Sequence, residues 1–133
     1  MKTLFYLIAL SFFSLSSCTG MAQKENTTVQ EVTNTYKIVS VDDFNAALEN
    51  EEAPQLIDVR TANEFANGSI PNAKNLDLLD GSFQNAMNSL DKNKPVYVFC
   101  AVGGRSGKAS KLLKENGFTQ VVDLKGGYKG WIK

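Results

Sequence analysis

A chain of 133 residues carrying 14 Lys plus Arg against 14 Asp plus Glu has no net charge, and it contains no histidine. Balanced charge excludes recognition of nucleic acid or of an acidic macromolecule through a basic surface. The length suffices for one core of ordinary domain size, and the chain shows neither an internal repeat nor a second domain.

Lys2 is followed by an apolar stretch from Leu4 to Leu15, then by Ser16-Ser17-Cys18. A charged start, a short apolar core and small residues read as a secretory signal. The stretch falls short of the about 20 apolar residues that a spanning helix requires. Leu15-Ser16-Ser17-Cys18 resembles the bacterial lipobox, whose cysteine becomes the lipidated first residue of the mature protein. That resemblance implies a signal peptide over 1–17, cleavage before Cys18, and a lipid anchor on Cys18. It also implies a bacterial cell-envelope location, with the domain in the periplasm or otherwise outside the cytoplasm. Loss of 1–17 removes one Lys and no acid, leaving a net charge of −1. Residues 18–35, including Gln23-Lys24-Glu25-Asn26-Thr27-Thr28, are polar and aperiodic and read as a flexible tether. The domain is expected over 36–133.

Within it, strand and helix signals alternate. Tyr36 to Val39 predicts a first strand, and Ser40 can cap a helix carrying Phe44, Ala47 and Leu48. Leu56 to Val59 predicts a second strand. Thr61-Ala62-Asn63-Glu64 has the form of a capping box, which assigns Glu64 to structure and ends a short helix near Gly68. A short strand is expected from Ala73 to Leu76, and a helix from Phe83 to Leu90 with Phe83, Met87 and Leu90 at helical spacing. Val96-Tyr97-Val98-Phe99 reads as a buried strand. A helix from Ser106 to Gly117 follows, with Lys108, Lys111 and Lys114 on its wet side. Gln120 to Leu124 makes the last strand, and Gly126-Gly127 turns the chain into a final short helix around Trp131, a residue expected to pack in the core. Such alternation predicts an α/β domain of three layers, a mostly parallel sheet with helices on both faces. Ligands of such sheets bind beyond the carboxyl ends of the strands. Cys100 directly follows Phe99 and so falls at that edge, with Asp58 and Arg60 close to it.

The loop Cys100-Ala101-Val102-Gly103-Gly104-Arg105-Ser106 is the one segment arranged for chemistry. Gly103 and Gly104 give the backbone freedom to curl its N–H groups toward a common centre at the positive end of the following helix. The thiolate, not the thiol, attacks, and positive potential favours it. A helix terminus contributes at most about 2 kcal/mol, and one pKa unit corresponds to about 1.4 kcal/mol. Full ionisation therefore needs the loop N–H groups and the Arg105 guanidinium as well, and Arg105 can also grip an oxyanion.

These residues resemble the rhodanese-like sulfurtransferase domains, whose loop runs Cys, two variable residues, Gly, one variable residue, Arg and often Ser. Leu56-Ile57-Asp58-Val59-Arg60, followed by Glu64-Phe65, Gly68, Ile70-Pro71 and Ala73, is similar to a second family segment. Leu124-Lys125-Gly126-Gly127-Tyr128-Lys129-Gly130-Trp131 is similar to a third. Where the family usually has His after Gly68, this chain has Ser69. Related cell-cycle phosphatase domains carry one more residue between Cys and Arg; the four between Cys100 and Arg105 match the sulfurtransferase length. The resemblance implies that Cys100 takes the outer sulfur of thiosulfate or a persulfide donor and yields it to cyanide or a thiol acceptor. It implies substrate contacts from Ala101, Val102, Gly103, Gly104, Arg105 and Ser106, structural support from Asp58 and Arg60, paired with each other or bracing the loops, and no metal or organic cofactor. With Cys18 lipidated, Cys100 is the only thiol left, which suits a persulfide or a redox or sulfur-relay protein partner. Two other readings stand beside it, a persulfide-carrying or partner-docking module without turnover and a thiol redox protein.

Overall fold

The structure is a computed structural model and describes residues 34–133. The expected signal peptide, the lipidated Cys18 and nearly all of the expected tether lie outside the described residues. Strands and helices alternate strictly: β1 (Thr35–Val39), α1 (Val41–Glu49), β2 (Gln55–Asp58), α2 (Ala62–Ala66), β3 (Lys74–Asn75), α3 (Ser82–Met87), β4 (Val96–Phe99), α4 (Gly104–Glu115), β5 (Gln120–Leu124) and α5 (Gly127–Trp131). The strands form one sheet in the order β1-β5-β4-β2-β3, every pairing parallel. No helix of the described residues is long and apolar enough to cross a membrane.

Strand periodicity divides the core in two. Along β4 and the residue after it, Val96, Val98 and Cys100 face one side, where they meet Phe83 and Met87 of α3 and Ala109 and Leu113 of α4. Tyr97 and Phe99 face the other, packed with Phe44 of α1, Leu124, and the partly buried Tyr128 and Trp131 of α5. β4 is buried on both faces, as a central parallel strand must be. Trp131 stacks on Tyr128 at 6.0 Å and donates its indole N–H to Asn45 at 3.1 Å. It packs as expected.

Side-chain caps fix the starts of two helices. Ser40 accepts from the Asp43 N–H and starts α1. Thr61 and Glu64 form the full capping box that starts α2. Several boundaries shift by one to three residues from expectation, and three of the shifts are instructive. β3 pairs over only two residues. α3 stops at Met87 rather than Leu90, because Ser89 turns its hydroxyl onto the Ala86 carbonyl at 2.6 Å and the Ser89 and Leu90 N–H groups bond three residues back. α4 begins at Gly104, ahead of the expected Ser106, because Gly103 makes the whole turn from strand to helix at φ 111°.

Candidate active site

The strand-to-helix turn places Cys100 in the core, 1% exposed, with its sulfur under the start of α4. The Gly103 N–H donates to Sγ at 3.0 Å. Burial pushes the thiol's pKa up, but the Ser106 N–H and hydroxyl, with the N–H groups of Gly103 and Val102, outweigh it and leave the thiol more acidic than an ordinary cysteine. Hydrogen bonds from the turn and from the first turn of α4 thus acidify the sulfur. Of the two adjacent glycines only Gly103 uses a positive φ; Gly104 is helical, and a Cβ there would meet nothing within 4 Å. The expectation that both supply conformational freedom is corrected to one. Val102 is 61% exposed and Ala101 half-buried, so the loop presents an apolar residue to solvent.

Arg105 is oriented by a residue 41 positions away. Its Nη1 and Nη2 donate to the two carboxylate oxygens of Glu64 at 2.6 and 2.7 Å. Glu64 also accepts from the Thr61 N–H at 3.1 Å and the Thr61 hydroxyl at 3.0 Å. Arg105 above all holds the Glu64 carboxyl down to about 2, so the pair is fully charged at neutral pH. The Arg105 pKa is raised in turn, by Glu64 first and to a lesser degree by the charges of Cys100 and Asp77. Glu64 is structural, as its capping box implied. Its second task, fixing the loop arginine, has no signal in the local sequence.

Asp58 and Arg60 pair, as expected. Nη2 of Arg60 stands 2.7 Å from Asp58 Oδ2, with both side chains almost wholly buried. Ser69 donates to the same Oδ2 at 2.7 Å. The guanidinium also donates to the Gly68 carbonyl at 2.7 Å and lies 4.3 Å from the Tyr128 ring centroid. Tyr128 belongs to α5, whose first N–H groups close onto the loop: Tyr128 N–H donates to the Cys100 carbonyl at 2.7 Å and Lys129 N–H to the Ala101 carbonyl at 3.1 Å. Residues of β2, α2, α4 and α5 therefore converge on one turn.

Two residues of α5 and β5 have roles that escape the sequence reading. One is Gly127, whose place against the Cys100 carbonyl only the fold discloses. The other is Asp123, buried at 2% exposure. Its signal was available, since strand alternation places it on the same face as the buried Val121.

Comparison with known proteins decides the family. The family model of the rhodanese-like domain matches residues 40–133. This chain belongs to the rhodanese-like domain family. A crystal structure of a rhodanese-like domain protein from Staphylococcus aureus superposes with a TM-score of 0.64 at 36% identity, covering 72% of this chain and 91% of that one. The uncharacterized protein YqhL of Bacillus subtilis is 44% identical over 77 residues, which are 58% of this chain and 60% of YqhL. The thiosulfate sulfurtransferase GlpE of Shewanella oneidensis is 31% identical over 98 residues, which are 74% of this chain and 94% of GlpE. The rhodanese-like domain expected from the three motifs is thus the observed one, and its relatives include sulfurtransferases.

Proposed function

We propose that this rhodanese-like domain is a sulfurtransferase in which Cys100 carries the sulfur as a persulfide. The observation that carries the reading is the buried sulfur held by the Gly103 N–H at 3.0 Å, in a loop whose N–H groups acidify it. The Cys100 thiolate attacks the outer sulfur of thiosulfate or of a persulfide donor. A new S–S bond forms, and the old one breaks with its electron pair leaving on sulfite or on the donor thiolate. Cyanide or an acceptor thiolate then attacks the outer sulfur of the Cys100 persulfide and returns Cys100 as thiolate. Double displacement through one nucleophile requires no metal and no organic cofactor. Backbone N–H groups hold the negative charge at each stage. Arg105 steers the donor with the N–H groups that Glu64 leaves open. Since Ala101 and Val102 bring no charge, the loop suits a persulfide better than the dianion thiosulfate.

The test is the intact mass of the chain after exposure to thiosulfate or to a persulfide such as that of glutathione, and again after cyanide. A gain of one sulfur atom on the Cys100 peptide that cyanide removes is expected with at least one donor, and Cys100→Ser is expected to abolish it. Loading that survives Cys100→Ser, or no loading of an accessible reduced thiol by either donor, overturns the reading.

The Cys18 lipid anchor and a cell-envelope location are part of the same proposal, as is a sulfur-relay or redox protein partner outside the cytoplasm. Labelled palmitate supplied to a bacterial host is expected to enter the protein, and Cys18→Ser is expected to remove the label and release the chain from membranes. Labelling unchanged by Cys18→Ser would reject the anchor.

A further inference from the structure

The charge at the rim of the cysteine loop is set by a residue outside that loop. Arg105 is the second residue of α4, just past the Gly103 turn whose N–H holds the Cys100 sulfur. A guanidinium has five N–H donors, and an oxyanion fits them best two at a time, as a planar fork. Glu64 of α2 has taken one such fork: Nη1 and Nη2 each meet one of its oxygens, at 2.6 and 2.7 Å. The pair is not sealed in the core. The Arg105 side chain is 24% exposed and that of Glu64 35%, so both stay within reach of a dissolved donor. Neither is it a loose surface contact that any passing anion would open. The Thr61 N–H and hydroxyl hold Glu64 Oε2 from the other side, at 3.1 and 3.0 Å, as part of the capping box that starts α2. Its own helix thus presents the carboxylate to Arg105, and Glu64, held at about 2, carries its full charge near neutral pH. Nothing close by restores a positive site. Asp77, buried after β3, is a second acid that acts on Arg105, and Ala101 and Val102 carry no charge. Lys129 adjoins the loop only through its backbone N–H, and its side chain is exposed.

We infer that Glu64 is a specificity-determining residue: by occupying the Arg105 fork it turns away dianionic sulfur donors such as thiosulfate and leaves Cys100 to donors that carry a single negative charge. The inference rests on the sulfurtransferase reading above. Discrimination of this kind works by repelling the wrong ligand as much as by attracting the right one. A dianion approaching the loop meets a guanidinium whose charge Glu64 already balances, and the carboxylate itself repels it. The repulsion scales with the donor's charge, so a monoanion loses about half as much. Without the carboxylate, two oxygens of the dianion would find the same two N–H groups that Glu64 now holds. The transfer step is untouched, since Glu64 gives up no proton and contacts no reacting atom.

The experiment compares Glu64→Gln with the original full chain at fixed ionic strength, with cyanide as acceptor. Glutamine serves as well as glutamate at the third position of a capping box, so α2 keeps its start while the charge is removed. Two donors of like chemistry and different charge are used, thiosulfate with two negative charges and benzenethiosulfonate with one. In each the outer sulfur passes to Cys100, and the electron pair of the broken S–S bond leaves on sulfite or on benzenesulfinate. The variant is expected to gain about tenfold in kcat/KM with thiosulfate, through a lower KM, and about threefold with benzenethiosulfonate. An equal gain with both donors, no gain, or a gain confined to kcat overturns the inference. Protection of Cys100 from iodoacetamide by sulfate, read from the mass of the Cys100 peptide, tests the same preference with no sulfur transferred. Half-protection is expected at about tenfold less sulfate in the variant, and equal or absent protection in the two chains overturns the inference. Should neither donor load Cys100, the sulfurtransferase reading falls by itself and the sulfate result decides. If Glu64→Gln does not fold, the salt dependence of the original chain decides instead: a KM for thiosulfate that stays level or falls as salt rises is expected, and a severalfold rise overturns the inference.

Discussion

Replacing Arg60 by Met is expected to lower the stability of the domain by about 3–5 kcal/mol, the usual consequence of removing one partner of a buried ion pair. The Asp58 side chain is fully buried and that of Arg60 is 5% exposed, so neither charge has water to turn to. Arg60 gives Asp58 three guanidinium contacts, from Nε at 3.0 and 3.1 Å and from Nη2 at 2.7 Å. After the substitution the carboxylate would keep only the Arg60 backbone N–H at 3.0 Å and the Ser69 hydroxyl at 2.7 Å. The Gly68 carbonyl would lose its Nη2 partner, and the Tyr128 ring would lose the cation over its face. Asp58→Asn combined with Arg60→Met is expected to recover a large part of the loss, since most of it comes from the orphaned charge. Urea unfolding of the single and double variants gives the coupling directly. A loss under about 1 kcal/mol in the single variant would show that solvent or a rearranged side chain satisfies Asp58. Normal stability with impaired sulfur loading would instead move Arg60 from brace to donor contact.

How far the sequence alone could reach depends on the range of each interaction. β4 and β5 were legible to the residue because short apolar runs bounded by turns have few alternative readings. The capping boundaries of α1 and α2 were legible because a cap and its partner lie three residues apart. Arg105 with Glu64 was not, because the two lie on different helices and nothing in either segment names the other. The end of α3 was misjudged for a different reason. Met87 and Leu90 keep helical spacing and both face the core, yet a tight turn presents Leu90 inward as well as a further helical turn would. Asp123 sits between these cases. Val121-Val122-Asp123-Leu124 reads as a strand on its apolar residues, and only strict alternation says that the one acid in it is buried on the face that α4 covers. A buried acid in a strand that flanks a nucleophile is a conflict between local composition and fold, and such conflicts gather at functional sites.

Gly127→Ala is expected both to destabilise the domain, by about 2–4 kcal/mol as overpacking added to left-handed strain, and to slow Cys100 alkylation at neutral pH by at least about tenfold. Gly127 is buried at φ +60°, and a Cβ on it would stand 2.4 Å from the Cys100 carbonyl oxygen and 2.7 Å from both Ala101 C and Val102 N. These are backbone atoms of the loop and cannot swing aside as a side chain would. The contact matters because a trans peptide sets its carbonyl and N–H on opposite sides. The Lys129 N–H holds the Ala101 carbonyl at 3.1 Å, and this turns the Val102 N–H of the same peptide toward the sulfur. The Tyr128 N–H fixes the preceding peptide through the Cys100 carbonyl at 2.7 Å. A methyl group wedged between α5 and the loop would break this orientation at its source, so the thiol should rise toward an ordinary pKa as its hydrogen bonds loosen. Gly104→Ala is the matched control: the same substitution four residues from the sulfur, with nothing within 4 Å of the new Cβ and a helical backbone. Its stability is expected to stay level or to rise by up to about 1 kcal/mol through the less flexible unfolded chain. Thermal unfolding and alkylation rates of both variants test the clamp together. Equal alkylation rates in the two would show that α5 supports the fold without setting the loop, and the acidified sulfur would then owe its environment to the Gly103 turn and Ser106 alone.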